Sequence, residues 1–105
     1  MYILLSCFPY IPPKIIMPTI SIKVIGKVQG VWFRAGTRNR ARELGVTGTV
    51  SNQPDGSVFI EAKGNEEQLK QLINWCKTGT PHARVDELKI NDSTDQSFEE
   101  FKILR

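Results

Sequence analysis

The stretch 19–45, TISIKVIGKVQGVWFRAGTRNRARELG, decides the architecture. Ile20, Ile22 and Val24 alternate with Ser21 and Lys23, the period of two that a strand with one buried face requires. This pattern runs to the glycines at 26 and 30. From Phe33 the period changes. Phe33, Thr37, Ala41 and Leu44 recur at helical spacing with arginines between them, and Gly45 supplies a stop. The chain therefore passes from a strand, through a glycine-punctuated loop, into an amphipathic helix of about three turns.

Further along, residues 46–51 and 57–63 read as two short strands joined by Asn52-Gln53-Pro54-Asp55-Gly56, whose Pro-Asp-Gly is strong turn chemistry. Asn65 is placed to cap a second helix with Leu69, Leu72, Ile73 and Cys76 on its inner face, ended by Gly79 and Pro81. Two more strands are expected around 84–90 and 98–104. The order strand, helix, strand, strand, helix, strand, with a last short strand, predicts an α+β fold. It is the ferredoxin-like split βαβ sandwich, an antiparallel sheet with two helices on one face. Enzymes, RNA binders and regulatory modules all use that fold, so function must come from particular residues.

At 105 residues, 40% hydrophobic and 24% charged, the chain has room for one globular domain, assigned to residues 19–105. A domain of this size buries roughly 60 to 70% of its unfolded surface, enough for one core without disulfides or metal. Residues 1–18, MYILLSCFPYIPPKIIMP, are different in character: apolar, with the single charge Lys14 and prolines at 9, 12, 13 and 18. The apolar run from Tyr2 to Phe8 is too short for a bilayer span of about 20 residues. No basic residue precedes it and no small-residue cleavage site follows, unlike a secretory signal. A start-site artefact, a disordered tail and a partner-binding arm all fit this extension.

The two cysteines, Cys7 and Cys76, have no C-x-x-C spacing, so the expected setting is reducing and cytoplasmic. One histidine, His82, cannot build a two-histidine metal site, which argues against most hydrolytic metalloenzymes. No metal and no cofactor is expected. The net charge of +3 with pI near 9.0 suits anionic ligands without implying nucleic acid. Lys23, Lys27, Arg34, Arg38, Arg40 and Arg42 occur between 19 and 42 with no acidic residue among them. An anion belongs at that end, although Arg38, Arg40 and Arg42 taken alone fit a solvated helix face equally well.

Within 26–34, Gly26 and Gly30 permit close approach of backbone to a ligand. The helix that follows offers unsatisfied N–H donors at the positive end of its dipole. Gly26, Lys27, Val28, Gln29, Gly30 and Val31 are thus candidate substrate-binding positions, forming a nest for a phosphate-sized anion such as phosphate or sulfate. Arg34 falls in the first helical turn, where the dipole disfavours a cation unless an anion lies between them. Its guanidinium can grip two phosphoryl oxygens at once. From the loop alone, an arginine merely exposed beside a turn is an equal reading.

The run Gly26 to Arg34 matches G-x-V-Q-G-V-x-F-R without a break. Gly48-Thr49-Val50-Ser51-Asn52, then Asp55-Gly56, then Val58 to Gly64 follow G-W-V-x-N, a D-G hairpin and its strand. With these two linked motifs the chain resembles the acylphosphatase family over essentially all of 19–104, more weakly through Gly79-Thr80-Pro81, Arg84-Val85-Asp86 and Phe98 to Phe101. The resemblance implies Arg34 and Asn52 as catalytic residues, since the family's Asn follows its Arg by 18 positions, as here. Thr49 stands where Trp is expected and Gln53 where Thr is frequent; neither departure touches Arg34 or Asn52. Trp32 occupies a variable motif position, compatible with replaced aromatic area or with a surface tryptophan of no role.

What the resemblance implies is hydrolysis of a small-molecule acyl phosphate to a carboxylate and inorganic phosphate. The leaving carboxylate has a conjugate-acid pKa of about 4, so it departs at neutral pH without a general acid. Arg34 and the loop N–H groups would stabilise the transferring phosphoryl group and Asn52 would orient the attacking water. In local sequence Asn52 also reads as a turn residue ahead of Pro54. His82 reads as an exposed loop residue and Cys76 as core, and Ser51 and Ser57 lack an evident base. The alternative is a non-enzymatic RNA-binding or small-molecule regulatory module on the same fold. RNA binding wants paired aromatics on central strands, and only Phe59 is present. Neither nucleic acid nor membrane is expected as a partner.

Overall fold

The computed structural model describes residues 17–94 and 97–104, so the extension before Met17 lies outside the described residues. The elements are β1 (Thr19–Lys27), α1 (Phe33–Leu44), β2 (Thr47–Asn52), β3 (Val58–Lys63), α2 (Glu66–Cys76), β4 (Arg84–Asp92) and β5 (Phe101–Ile103). They form one sheet in the order β4-β1-β3-β2-β5 beneath two helices. Alternation does its expected work. Ile22 of β1 lies opposite Ile60 of β3, which lies opposite Val50 of β2, and all three are fully buried. Ser21, Lys23, Glu61 and Thr49 point to the other, open face.

Phe33, Thr37 and Ala41 of α1 and Leu69, Leu72 and Cys76 of α2 close over the apolar face. Phe33 and Trp75 meet with ring centroids 5.3 Å apart, joining the two helices. The start of α2 is fully dressed. Asn65 Oδ1 accepts from Gln68 N and Gln68 Oε1 accepts from Asn65 N, both at 2.8 Å, with Glu66 and Glu67 in the first turn. The helix stops at Cys76, before Gly79 and Pro81, because Thr78 and Gly79 turn their N–H groups back to the Trp75 carbonyl. By contrast α1 begins without a side-chain cap and without an acidic residue in its first turn.

The expected antiparallel sheet is present, and the last short strand adds one parallel pairing at its edge. Four strands pair antiparallel, but β5 pairs parallel with β2, Gly48 opposite Phe101 and Val50 opposite Ile103. The reason is geometric: β4 occupies one edge and β5 the other. At one end of the sheet Ser93 N donates to Thr19 O and Gly48 N donates to Glu100 O. Reversal from β4 into β5 then makes β5 run with β2. No helix among the described residues is long and apolar enough to cross a membrane.

Candidate active site

Between β1 and α1 the backbone bends through Gln29, Gly30, Val31 and Trp32, and none of these four residues donates a backbone hydrogen bond to the described chain. Two of them take left-handed conformations, Gly30 at φ 76° and Trp32 at φ 66°. Trp32 serves as the cap residue of α1, its carbonyl accepting from Gly36 N at 3.0 Å. The N–H groups of Phe33, Arg34 and Ala35 have no acceptor within the helix either, because they belong to its first turn. Unbonded donors thus run from the loop into the helix start, where the dipole is positive. Arg34 stands in that turn, half-buried and with no hydrogen-bond or ion-pair partner among the described residues.

Two side chains tie the loop to other segments. Gln29 Nε2 donates to the carbonyl of Gln53 at 2.8 Å and to that of Ser57 at 2.9 Å, binding the loop to the β2–β3 hairpin. Thr80 Oγ1, from the connection after α2, donates to the Val31 carbonyl at 2.6 Å. Val28 and Val31 are buried and anchor the loop in the core. The hairpin turn is itself braced. Asp55 Oδ1 accepts from Ser57 N at 3.0 Å and from Ser57 Oγ at 2.5 Å, and Asp55 Oδ2 lies 2.8 Å from Lys23 Nζ. The hydrogen bond from Lys23, then those from Ser57, hold the Asp55 carboxyl well below the usual carboxylate range.

Of the residues expected at the loop, the structure sets two apart. Gly26 and Lys27 belong to β1, which runs two residues further than the loop motif suggests. A Cβ on Gly26 would collide with the Arg84 carbonyl oxygen of β4, so the close approach it permits is that of a neighbouring strand. Val28, Gly30, Trp32, Phe33, Arg34, Ala35 and Ile103 line a cleft of about 390 Å³. The Gln29 side chain turns to the hairpin instead. Asn52 ends β2 opposite Val58, and its exposed side chain makes no hydrogen bond to the described residues. The side-chain turn contact in this hairpin belongs to Asp55.

The departures from the family pattern are accommodated. Gln53 meets Gln29 through its backbone carbonyl, which any residue supplies, while its side chain reaches Ser51 Oγ at 3.1 Å. Thr49 lies on the open face opposite Glu61, so its place in the strand needs no aromatic. Cys76 is buried, which pushes its thiol up to about 12 and leaves it inert as a nucleophile. His82 is exposed. Thr80 was invisible as a loop support in the sequence, where only the weak Gly79-Thr80-Pro81 similarity marked the segment. A larger groove of about 700 Å³, between α2, β1 and β4, contains neither Arg34 nor Asn52.

Residues 20–103 match the family model described as acylphosphatase. The chain belongs to the acylphosphatase family. An acylphosphatase from Methylococcus capsulatus is 43% identical over 90 residues, covering 85% of this chain and 98% of that protein. One from Shewanella amazonensis is 48% identical over 88 residues, covering 83% and 97%. The crystal structure of acylphosphatase from Bacillus subtilis superposes with a TM-score of 0.82 at 32% identity, over 85% of this chain and all of that one. Membership of the acylphosphatase family brings an enzymatic reaction, hydrolysis of an acyl phosphate to a carboxylate and inorganic phosphate. These acylphosphatase relatives lend no support to an RNA-binding or regulatory module.

Proposed function

We propose that the chain hydrolyses acyl phosphates without a metal, by clamping the phosphoryl group between the Arg34 guanidinium and the loop N–H donors while Asn52 orients the attacking water. One observation carries this reading: Arg34 is half-buried and unpaired in the bare first turn of α1, directly after a loop whose amides donate to nothing else described. A cation there is electrostatically out of place until an anion sits between it and the helix end. Gln29 and Thr80 keep those donors in place before substrate arrives, so little reorganisation is left for the reaction itself.

The chemistry asks for little more. The P–O bond to the carboxylate breaks as water attacks in line from the opposite side of phosphorus, and charge accumulates on the equatorial oxygens. Asn52 is too weak a base to take the proton, but its amide oxygen can fix a water, and its side chain is free to do so. Phosphate or sulfate should occupy the same loop. The reading includes a cytoplasmic setting, as the cysteine pattern suggests, and residues 19–105 as the working unit. Phe59 is the lone aromatic on the open face of the described strands, which further disfavours base stacking.

Phosphate release from benzoyl phosphate, followed with excess EDTA, tests the reaction. Full turnover in chelator is expected, and an alkyl phosphate should be turned over poorly because nothing here protonates an alkoxide. Activity abolished by EDTA and restored by a divalent ion overturns the metal-free reading.

A further inference from the structure

We propose that Trp32 is the platform for the acyl half of the substrate, and that the preferred substrates are acyl phosphates whose acyl group is flat, apolar and uncharged. This deepens the reading above and rests on its placement of the phosphoryl group at Arg34. Trp32 is 78% exposed, by far the most exposed large apolar side chain among the described residues. It is also the one non-glycine residue there with positive φ, a conformation unfavourable for so bulky a side chain. Packing does not account for this, since the aromatic pair in the core is Phe33 with Trp75. The indole N–H has no partner among the described residues.

The exposed ring borders the cleft beside Arg34. Among the described residues that line this cleft, the one charged side chain is Arg34, beside the apolar side chains of Val28, Ala35 and Ile103. At about 390 Å³ it lies in the range of roughly 300–1,000 Å³ typical of small-molecule sites. An acyl phosphate is divided in the same way, with an anionic phosphoryl group at one end and the acyl group two bonds from phosphorus. With the phosphoryl group at Arg34, this cleft is the adjoining space for the acyl group, and Trp32 is one of the residues that line it. A benzoyl group covers the indole face; an acetyl group covers little of it. A carboxylate on the acyl group would find no cation but Arg34 among the described residues that line the cleft, and would compete with the phosphoryl group for it.

The test compares kcat/KM for benzoyl and acetyl phosphate in the full chain and in the Trp32→Ala and Trp32→Phe variants. The ratio of benzoyl to acetyl should fall about tenfold in Trp32→Ala, mainly through a higher KM for benzoyl phosphate. Trp32→Phe, which keeps an aromatic face, should restore most of it. Equal losses on both substrates, or an unchanged ratio, overturn the role of Trp32 while leaving the reaction standing. If the unmodified chain hydrolyses neither substrate, the reaction reading itself falls, and this inference with it.

Discussion

The Gln29 side-chain amide donates to the Gln53 carbonyl at 2.8 Å, so the loop after β1 and the hairpin that follows Asn52 are held as one body. A second bond from the same amide, to Ser57 O at 2.9 Å, fixes the angle between them. The loop carries the unbonded amides proposed to hold the anion, and β2 of the hairpin carries Asn52, the proposed water ligand. Gln29 ties together two segments 24 residues apart in sequence, and in the proposed reaction its part is to position them.

Gln29→Ala removes both bonds. Stability should fall by about 1 to 2 kcal/mol, at roughly 1 kcal/mol per hydrogen bond, and kcat should drop by something like 10- to 100-fold from misalignment. Denaturant unfolding and steady-state kinetics on the same preparation check the two effects together. Unchanged kcat would mean that the loop keeps its geometry without the tie.

Arg34→Lys keeps the charge and loses the planar fork. Because Arg34 has no partner among the described residues, the melting temperature should hardly move. Turnover should fall by about 100-fold or more, and inhibition by inorganic phosphate should weaken with it. Wild-type kinetics in this variant would place the phosphoryl group elsewhere.

Asn52→Ala should separate binding from chemistry. A turn role for Asn52 would predict lost stability, but the turn contact belongs to Asp55, so melting should stay near wild type. The rate should fall by about 100-fold while the inhibition constant for phosphate is nearly constant. Measuring both distinguishes water orientation from ground-state binding; parallel losses would assign Asn52 to the phosphate instead.

Asp55 makes stability depend on acid. Its folded-state value lies below the unfolded one of about 3.9, so its contribution is complete above that value and disappears as pH falls through it toward the folded value. Melting temperature followed from about pH 5 down to about pH 2 should therefore fall more steeply in the wild type than in Asp55→Asn. Parallel curves would show that the Lys23 and Ser57 contacts do not act on the folded state in solution.

Much of this protein was legible in one dimension. The helix over 33–44 and its stop at Gly45, the hairpin through Pro54-Asp55-Gly56 and the capping role of Asn65 all rest on contacts between residues a few positions apart. Local periodicity and turn chemistry encode such contacts directly. The candidates Arg34 and Asn52 were visible through the resemblance to the acylphosphatase family, whose Asn follows its Arg by 18 positions, whereas local pattern alone left each with an equal alternative.

The tertiary structure decided what depends on contacts between distant segments. The parallel pairing of β5 with β2 follows from β4 holding one sheet edge and the chain reversing direction into β5 at the other. The closeness of β4 places Gly26 in the β1–β4 pairing, and the Thr80 hydroxyl reaches Val31 across 49 positions. Local pattern could not foretell these. Hydrogen bonds and backbone clashes act through space, and it is the folding of the core that brings the partners within reach.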